Sequence, residues 1–474
     1  MRVLLINTNR ERRPYPVAPL GLACVAQALE RDGQEVTLAD LTFAHDPDGA
    51  VARAVERRRP EWIGLSLRNL DNSTLAGPRS YLQEMREVVA SCRRASSAPL
   101  VIGGPAVGLA PQALLRFLDA DYAVAGEGEG AAVQLSRALA AGRAPGPIPG
   151  LYSRGVAAPP RAAMAAPPAV GDPQRYVDIR SYRRAGSPLP VQTRRGCAFR
   201  CAYCTYPALE GTTYRLKEPA RVAAEVEEVA RRTGSRAFEF VDSTFNAPLP
   251  YALEVCAELS RLPFRLHLLA SGFTPACSSP ELLAAMRGAG FRTLVCSPDS
   301  ASDPVLRAMG KGFVRQDLEN LVGQVHRAGL TALWCFLFGG PGEDEETARE
   351  TLQFITGRLT GHDIVLVAAG VRIYPGTPLE ALSRREGLVS SEDDLLWPRF
   401  YLSPQLPLRR LGALFAQYLE GARNLIFISD LQRGVLPWLE RAMGALGVAP
   451  PLWRFAPYLR LIPHGRSRAL PEGV

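Results

Sequence analysis

Short apolar runs alternate with longer amphipathic stretches along nearly all of this 474-residue chain, and the alternation occurs twice, on either side of one segment dense in alanine, proline and glycine. In the first half, residues 3–6, 35–38, 62–67, 100–102 and Tyr122–Val124 read as strands, with helical stretches such as Leu20–Arg31 and 112–118 between them and another near 131–140. Strands that alternate with helices fold as a parallel sheet covered on both faces. Residues 1–141 are therefore expected to form a doubly wound, Rossmann-like α/β domain, with its ligand site outside the carboxyl ends of the strands. Residues 142–186, including Ala157-Ala158-Pro159-Pro160, read as a linker crossing the surface, with a short strand expected around Leu151–Ser153. Alternation resumes with strands at 190–193, 237–241, 265–270, 293–296, Thr331–Phe338 and 364–373, and with Val222, Val226 and Val229 spaced for one helical face. A second parallel α/β unit is expected over 187–386. Beyond it, 387–474 reads as a small, mostly helical region with a helical pattern across 408–426.

Glycine placement tests a dinucleotide site in the first unit. Gly126-Glu127-Gly128-Glu129-Gly130 is glycine-rich, but the dinucleotide fingerprint belongs to the first strand-to-helix turn. There the chain has Asn7-Thr8-Asn9-Arg10-Glu11-Arg12-Arg13, without glycine. The glycines instead follow the fourth strand, as Gly103-Gly104-Pro105, and the fifth, where a bulky ligand's tail can lie directly on the backbone.

The second unit opens with Arg195-Gly196-Cys197-Ala198-Phe199-Arg200-Cys201-Ala202-Tyr203-Cys204, three cysteines at C-x3-C-x2-C spacing in one glycine-led loop. Four thiolates close the coordination shell of a 4Fe–4S cube; three leave one iron open. The alternative is a reactive or zinc-binding cysteine cluster, and structural zinc needs a fourth ligand and a different spacing. The other cysteines, Cys24, Cys92, Cys256, Cys277, Cys296 and Cys335, have no framework spacing and read as reduced thiols of a cytoplasmic protein. The opening Met1-Arg2-Val3-Leu4-Leu5-Ile6-Asn7 turns polar too soon for a signal peptide, and no apolar run reaches the length of a membrane span. No membrane insertion is expected.

A formal charge of +8 raises the question of nucleic acid, yet the arginines are interleaved with acids and form no basic stripe with stacking aromatics. No nucleic-acid partner is expected. Lys217 and Lys311 are the only lysines.

The cysteine loop, with Tyr203 just before the last cysteine, resembles the signature of the radical S-adenosylmethionine (SAM) superfamily, and the first unit resembles the cobalamin-binding domain of B12-dependent radical SAM enzymes. The carriers of the second resemblance are Pro16-Val17-Ala18-Pro19-Leu20-Gly21-Leu22, Ser66-Leu67-Arg68-Asn69-Leu70-Asp71-Asn72, Val101-Ile102-Gly103-Gly104-Pro105 and Gly126-Glu127-Gly128-Glu129. Together the resemblances imply a partial (β/α)6 TIM-type barrel, a 4Fe–4S cluster on Cys197, Cys201 and Cys204, SAM on its open iron, and cobalamin on the first domain.

They also imply site residues. For SAM these are Tyr203, Ser271, Ser297, Asp299, Gly340, Pro341, Gly342 and Tyr374, with Asp242 in Phe240-Val241-Asp242-Ser243-Thr244-Phe245-Asn246 replacing the superfamily's usual Gly-Gly-Glu as partner of the methionine ammonium; helix capping is the alternative for Asp242. For cobalamin they are Leu20, Arg68, Asn69, Asp71, Gly103, Gly104, Gly126, Glu127, Gly128 and Glu129. The Asp-x-His-x-x-Gly motif of other B12 proteins is absent, and the domain's one histidine, His45, reads as a loop surface residue. Base-off cobalamin without a histidine ligand is implied, with Arg68 the candidate beneath cobalt and a loop ion pair its alternative. Phe400 and Tyr401 are candidates for a substrate pocket, with core packing as the alternative. The implied activity is methyl transfer from SAM through cobalamin to a poorly activated carbon of a small biosynthetic intermediate, with an electron donor such as flavodoxin or ferredoxin. A rearrangement or cyclisation without net methyl transfer, and a non-catalytic B12 or redox sensor, are the alternatives. No general acid or base is named.

Overall fold

The first unit folds into six strands, β1 (Arg2–Asn7), β2 (Glu35–Asp40), β3 (Trp62–Ser66), β4 (Leu100–Gly103), β5 (Tyr122–Val124) and β6 (Leu151–Ser153), within a computed structural model that describes residues 1–156, 172–360, 363–419 and 424–428. The sheet order is β2-β1-β3-β4-β5-β6, parallel except for the antiparallel β5–β6 pair. Strand β1 is buried on both faces, Leu4 and Ile6 in one core and Val3 and Leu5 in another, so its sequence is continuously apolar rather than alternating. The order reverses between β1 and β3, and that switch point is where doubly wound sheets open a crevice for ligands. The short strand expected around Leu151 is β6, inside the stretch read as linker; the Ala- and Pro-rich residues 157–171 lie outside the described residues.

The second unit contains β7 (Leu189–Val191), a small antiparallel pair β8 (Arg194–Arg195) and β9 (Arg215–Leu216), then β10 (Ala237–Phe240), β11 (His267–Phe273), β12 (Phe291–Asp299), β13 (Thr331–Phe338) and β14 (Ile364–Ala369). These are followed by a second small pair, β15 (Val371–Arg372) with β16 (Phe400–Tyr401), and by β17 (Leu425–Phe427). The main sheet is all parallel in the order β17-β14-β13-β12-β11-β10-β7. It thus has seven strands rather than the six expected. Leu425 and Ile426, expected in a helix, pair with Val365 and Leu366; the helix of that region is Leu408–Leu419. The strand expected over 364–373 is broken at Gly370, whose φ of +78° lies in the left-handed region and which packs on Leu75 of the first unit.

Strand β13 shows how the second core is made. Ala332, Trp334, Phe336 and Phe338 are buried against the outer helices, while Leu333, Cys335 and Leu337 are half-buried on the opposite face. Each of the three large aromatics contributes about 1.5–3 kcal/mol by burial. The half-buried set lines the concave side of the sheet, and Tyr15, from the loop after β1, packs there with Leu269, Ile364, Val295, Leu333 and Ile426.

Polar contacts, from fully buried to exposed, lock the two units together. The Arg372 guanidinium pairs with Asp71 at 2.8 Å, with side chains only 3% and 0% exposed, and Tyr374 shares a 2.6 Å hydrogen bond with Ser73. Tyr182 donates to Asp40 at 2.9 Å, and Arg195 pairs with Glu129 at 2.7 Å and Glu127 at 3.5 Å.

Candidate functional site

The cysteine loop leaves β8 at Gly196, whose φ is +91° and where an added Cβ would collide with the Thr213 carbonyl; only glycine fits. Backbone bonds then set its course. Cys197 N–H donates to Gly211 O (3.1 Å), Ala202 N–H to Met309 O (2.8 Å), Cys204 N–H to Cys201 O (3.1 Å), and Ala202 O accepts from Leu379 N–H (2.9 Å). Cys197 is buried with its sulfur 3.6 Å from the Thr244 hydroxyl, and Cys201 and Cys204 are partly accessible.

Burial raises the Cys201 thiol and pushes Cys204 up to about 11, and the neighbouring cysteines of the triad add to both shifts. Among the described residues no group of three His, Cys, Asp or Glu side chains is placed to hold a single metal ion.

Lys311 anchors one side of the loop. Its ammonium donates to Asp299 Oδ2 (2.7 Å), to Ser297 O (2.9 Å) and, at 3.4 Å, to the Tyr203 hydroxyl, while Tyr203 itself donates to Asp299 Oδ2 at 2.7 Å. Asp299 and Lys311 are 4% and 6% exposed. Ser297 and Asp299 thus lie at the end of β12 beside Tyr203, and Gly340, Pro341 and Gly342 form the turn after β13.

Other expected SAM contacts are used differently. Asp242 has no exposed side-chain surface. It accepts from Thr193 N–H (2.7 Å), the Thr193 hydroxyl (2.7 Å) and Arg194 N–H (3.2 Å), so it braces β7 and β8 and presents nothing to a ligand's ammonium. Nor does it cap a helix. Tyr374 packs on the first unit's core and holds Ser73. Ser271 donates to Glu239 Oε1 at 2.6 Å.

Glu239 was not among the expected site residues. Phe238 and Phe240 on either side face the helices, so strand alternation turns Glu239 to the concave face, where Tyr15 also donates to it, at 3.0 Å. Burial raises its carboxyl, while the hydrogen bonds from Ser271 and Tyr15 and the nearby Arg68 cation pull the other way. Arg68 acts similarly on the phenols of Tyr15 and Tyr206. Tyr206, two residues past Cys204, is 40% exposed, yet burial pushes its phenol up; a side chain facing a deep crevice behaves in this way. The carboxyl edge of the first sheet therefore faces the cysteine loop and the concave side of the second.

Along that edge Arg68 and Asn69 are exposed and make no hydrogen bond or ion pair among the described residues, so the loop ion pair set beside Arg68 is absent. Gly104 has a φ of +99° and lies where a Cβ would be 2.6 Å from Leu67 O. Gly126, at φ +89°, has open space where a Cβ would project. Gly103, Gly128 and Leu20 are half-buried nearby in the fold, and His45 is exposed. An open, glycine-paved edge lets a large cofactor lie directly on the backbone. Asp71, Glu127 and Glu129 do not belong to this set. Asp71 is consumed by Arg372, and Glu127 and Glu129 by Arg195, with Arg215 also on Glu127; all three carboxylates join the units. Tyr401 is 2% exposed and packs with Val371, Ile373 and Leu395, so it is core rather than pocket; Phe400 is half-buried beside it.

Residues 191–355 match the family model of the radical SAM superfamily, and residues 7–136 match that of the B12 binding domain. The chain belongs to the cobalamin-dependent radical SAM methyltransferase family. The enzyme is 28% identical over 447 residues to a tryptophan 2-C-methyltransferase of Streptomyces laurentii, covering 79% of this chain and 73% of that one. It is 27% identical over 399 residues to an uncharacterized methyltransferase of Pyrococcus horikoshii, covering 80% and 82%. Among solved structures it is similar to the radical SAM methyltransferase TsrM of Kitasatospora setae. With cobalamin and a 4Fe–4S cluster bound, TsrM superposes with a TM-score of 0.85 at 24% identity over 97% of both chains. With tryptophan substrate and the SAM analog aza-SAM bound, the values are 0.85 and 25%, over 97% of this enzyme and 98% of TsrM. Among the described residues, no helix is long and apolar enough to cross a membrane.

Proposed function

We propose that this enzyme moves a methyl group from SAM, by way of cobalamin, to a poorly activated carbon of a small biosynthetic intermediate. The observation that carries the reading is the hydrogen bond from Tyr15, in the loop after β1 on the B12-binding unit, to Glu239 of the concave sheet at 3.0 Å, which brings the carboxyl edge of the first sheet against the second unit's concave face. The relative that methylates C-2 of tryptophan supports carbon as the acceptor. When bound, the cluster and cobalamin supply the radical or polar methyl-transfer chemistry, while the protein supplies binding, geometry and electrostatics.

Cys197, Cys201 and Cys204 would hold the cluster through three thiolates. Tyr203, Ser297 and the Gly340-Pro341-Gly342 turn frame the place of SAM, and Arg68, Asn69, Gly103, Gly104 and Gly126 that of cobalamin. His45, exposed in the loop after β2, has no resolved role on this edge, and Arg68 would offer cobalt a cation rather than a ligand, in keeping with the base-off form without a histidine ligand. Glu239 and Ser271 give one wall of the shared space a hydrogen-bonding character, and Leu333 and Leu337 give another an apolar one. That division suits an amphipathic small molecule, and an electron donor of the flavodoxin or ferredoxin type would serve the cluster.

Anaerobic turnover with SAM, a strong reductant and a panel of aromatic amino acids and related metabolites tests the proposal. Formation of S-adenosylhomocysteine with a methylated product supports it. SAM cleavage to 5′-deoxyadenosine with product but no S-adenosylhomocysteine points instead to rearrangement or cyclisation, and absence of any SAM cleavage under reduction points to a sensor.

A further inference from the structure

The segment Met309-Gly310-Lys311-Gly312-Phe313 is wrapped closely onto the cysteine loop. Met309 O accepts from Ala202 N–H at 2.8 Å. Gly310, at φ +65°, approaches so closely that a Cβ would lie 2.6 Å from Arg200 O, and at Gly312, φ +69°, a Cβ would lie 3.2 Å from the Phe199 ring. Between these glycines Lys311 has all three ammonium donors engaged, on Asp299, Ser297 O and Tyr203. Asp299 itself holds a φ of +67°, a conformation that non-glycine residues keep only where their surroundings impose it. In a chain whose other cations are almost all arginine, a lysine here matches a pocket of three separate acceptors, which a compact ammonium satisfies and a planar guanidinium does not.

We propose that Lys311 is a positioning residue for the cysteine loop and a fixed buried cation that raises the reduction potential of the cluster held there. The inference rests on the reading of the triad as a cluster site. Its step is the gain of one electron by the cluster, supplied by an external reductant, with no proton moved; a nearby positive charge favours the more negative, reduced state. Asp299 opposes that charge, so the two members of the pair act on the potential in opposite directions. The Lys311 ammonium reaches Tyr203, between Cys201 and Cys204, and a Cβ on the adjoining Gly310 would lie 3.7 Å from Cys201 Cα, which places the pair against the cysteine loop.

The test is a redox titration with dithionite, followed by electron paramagnetic resonance and made before any SAM is added, on anaerobically reconstituted wild type, Lys311→Met, Lys311→Arg and Asp299→Asn, each with iron and sulfide counted. Loss of the cation in Lys311→Met is expected to disfavour reduction about tenfold, a potential lower by about 59 mV. Lys311→Arg should recover most of that loss, and Asp299→Asn, which leaves Lys311 unopposed, should shift the potential upward. Opposite shifts at full iron content support the inference, since a purely structural role would not give them. If Lys311→Met fails to hold iron, Asp299→Asn decides: an upward shift supports the inference and an unchanged or lower potential overturns it. Equal potentials in all iron-loaded proteins overturn the inference while leaving the cluster reading intact; wild type that binds no iron overturns both.

Discussion

Glu343, in the turn that frames the mouth of the second sheet, gives a sharp expectation for pH. It is fully buried; its Oε2 accepts from Gly339 N–H and, at 3.2 Å, from Gly340 N–H, and its Oε1 has no partner. Burial pushes the carboxyl up to about 8, with the two backbone donors only partly offsetting it. An unfolded glutamate titrates near 4.3, and each pH unit between the two values is worth about 1.4 kcal/mol. A folded-state pKa raised above the unfolded one contributes stability that is complete below about pH 4.3 and is lost as the pH climbs to about 8. The loss approaches about 5 kcal/mol, an upper bound. Glu343→Gln keeps an acceptor for both N–H groups and cannot ionise, so it should match wild type at pH 5 and exceed it increasingly up to pH 9. At about 2–4 °C per kcal/mol for domains of this size, the gap in thermal midpoint should reach several degrees. Thermal scans of both proteins from pH 5 to 9 measure it, and Glu343→Ala, which orphans two buried N–H groups at about 1–3 kcal/mol each, should be destabilised at every pH. Parallel curves for wild type and Glu343→Gln would refute the reasoning.

Two further substitutions separate structure from site. Arg372→Met leaves the Asp71 carboxylate buried and unpaired between the units, so it should cost about 3–5 kcal/mol, seen as a lower unfolding midpoint and faster limited proteolysis; an unchanged midpoint counts against a buried interdomain pair. Arg68→Ala removes an exposed, unpaired side chain, so stability should move by no more than about 0.5 kcal/mol, while the absorbance spectrum of bound cobalamin should change; an unaltered spectrum removes Arg68 from the vicinity of cobalt.

The strands of both sheets were legible because their apolar runs are bounded by helical patterns, and Tyr122–Val124 and Thr331–Phe338 fall where the sequence places them. Strand β17 was not, because three apolar residues following a helical pattern carry no period of their own and become a strand only beside β14. The carboxylates show a second limit. Asp71, Glu127 and Glu129 stand in segments that resemble a cofactor edge, and nothing local reveals that Arg372 and Arg195, far along the chain, arrive to neutralise them. Asp242 fails for the same reason: its donors, Thr193 and Arg194, come from a neighbouring strand end. Glu239 had a usable signal in its Phe-Glu-Phe alternation, and Lys311 had one in its glycine neighbours, but the value of both depended on which face and which loop they would meet.

On this reading one chain carries two separate cofactor sites, cobalamin on the first sheet and a three-cysteine cluster on the second. Iron and cobalamin content, by metal analysis and absorbance after anaerobic purification with both supplied, tests it most directly in wild type beside the combined Cys197→Ala, Cys201→Ala, Cys204→Ala variant. Cobalamin retained in both proteins, with iron lost only from the variant, is the predicted result. Iron retained without the three cysteines, or wild type that binds iron but no cobalamin, would contradict the account.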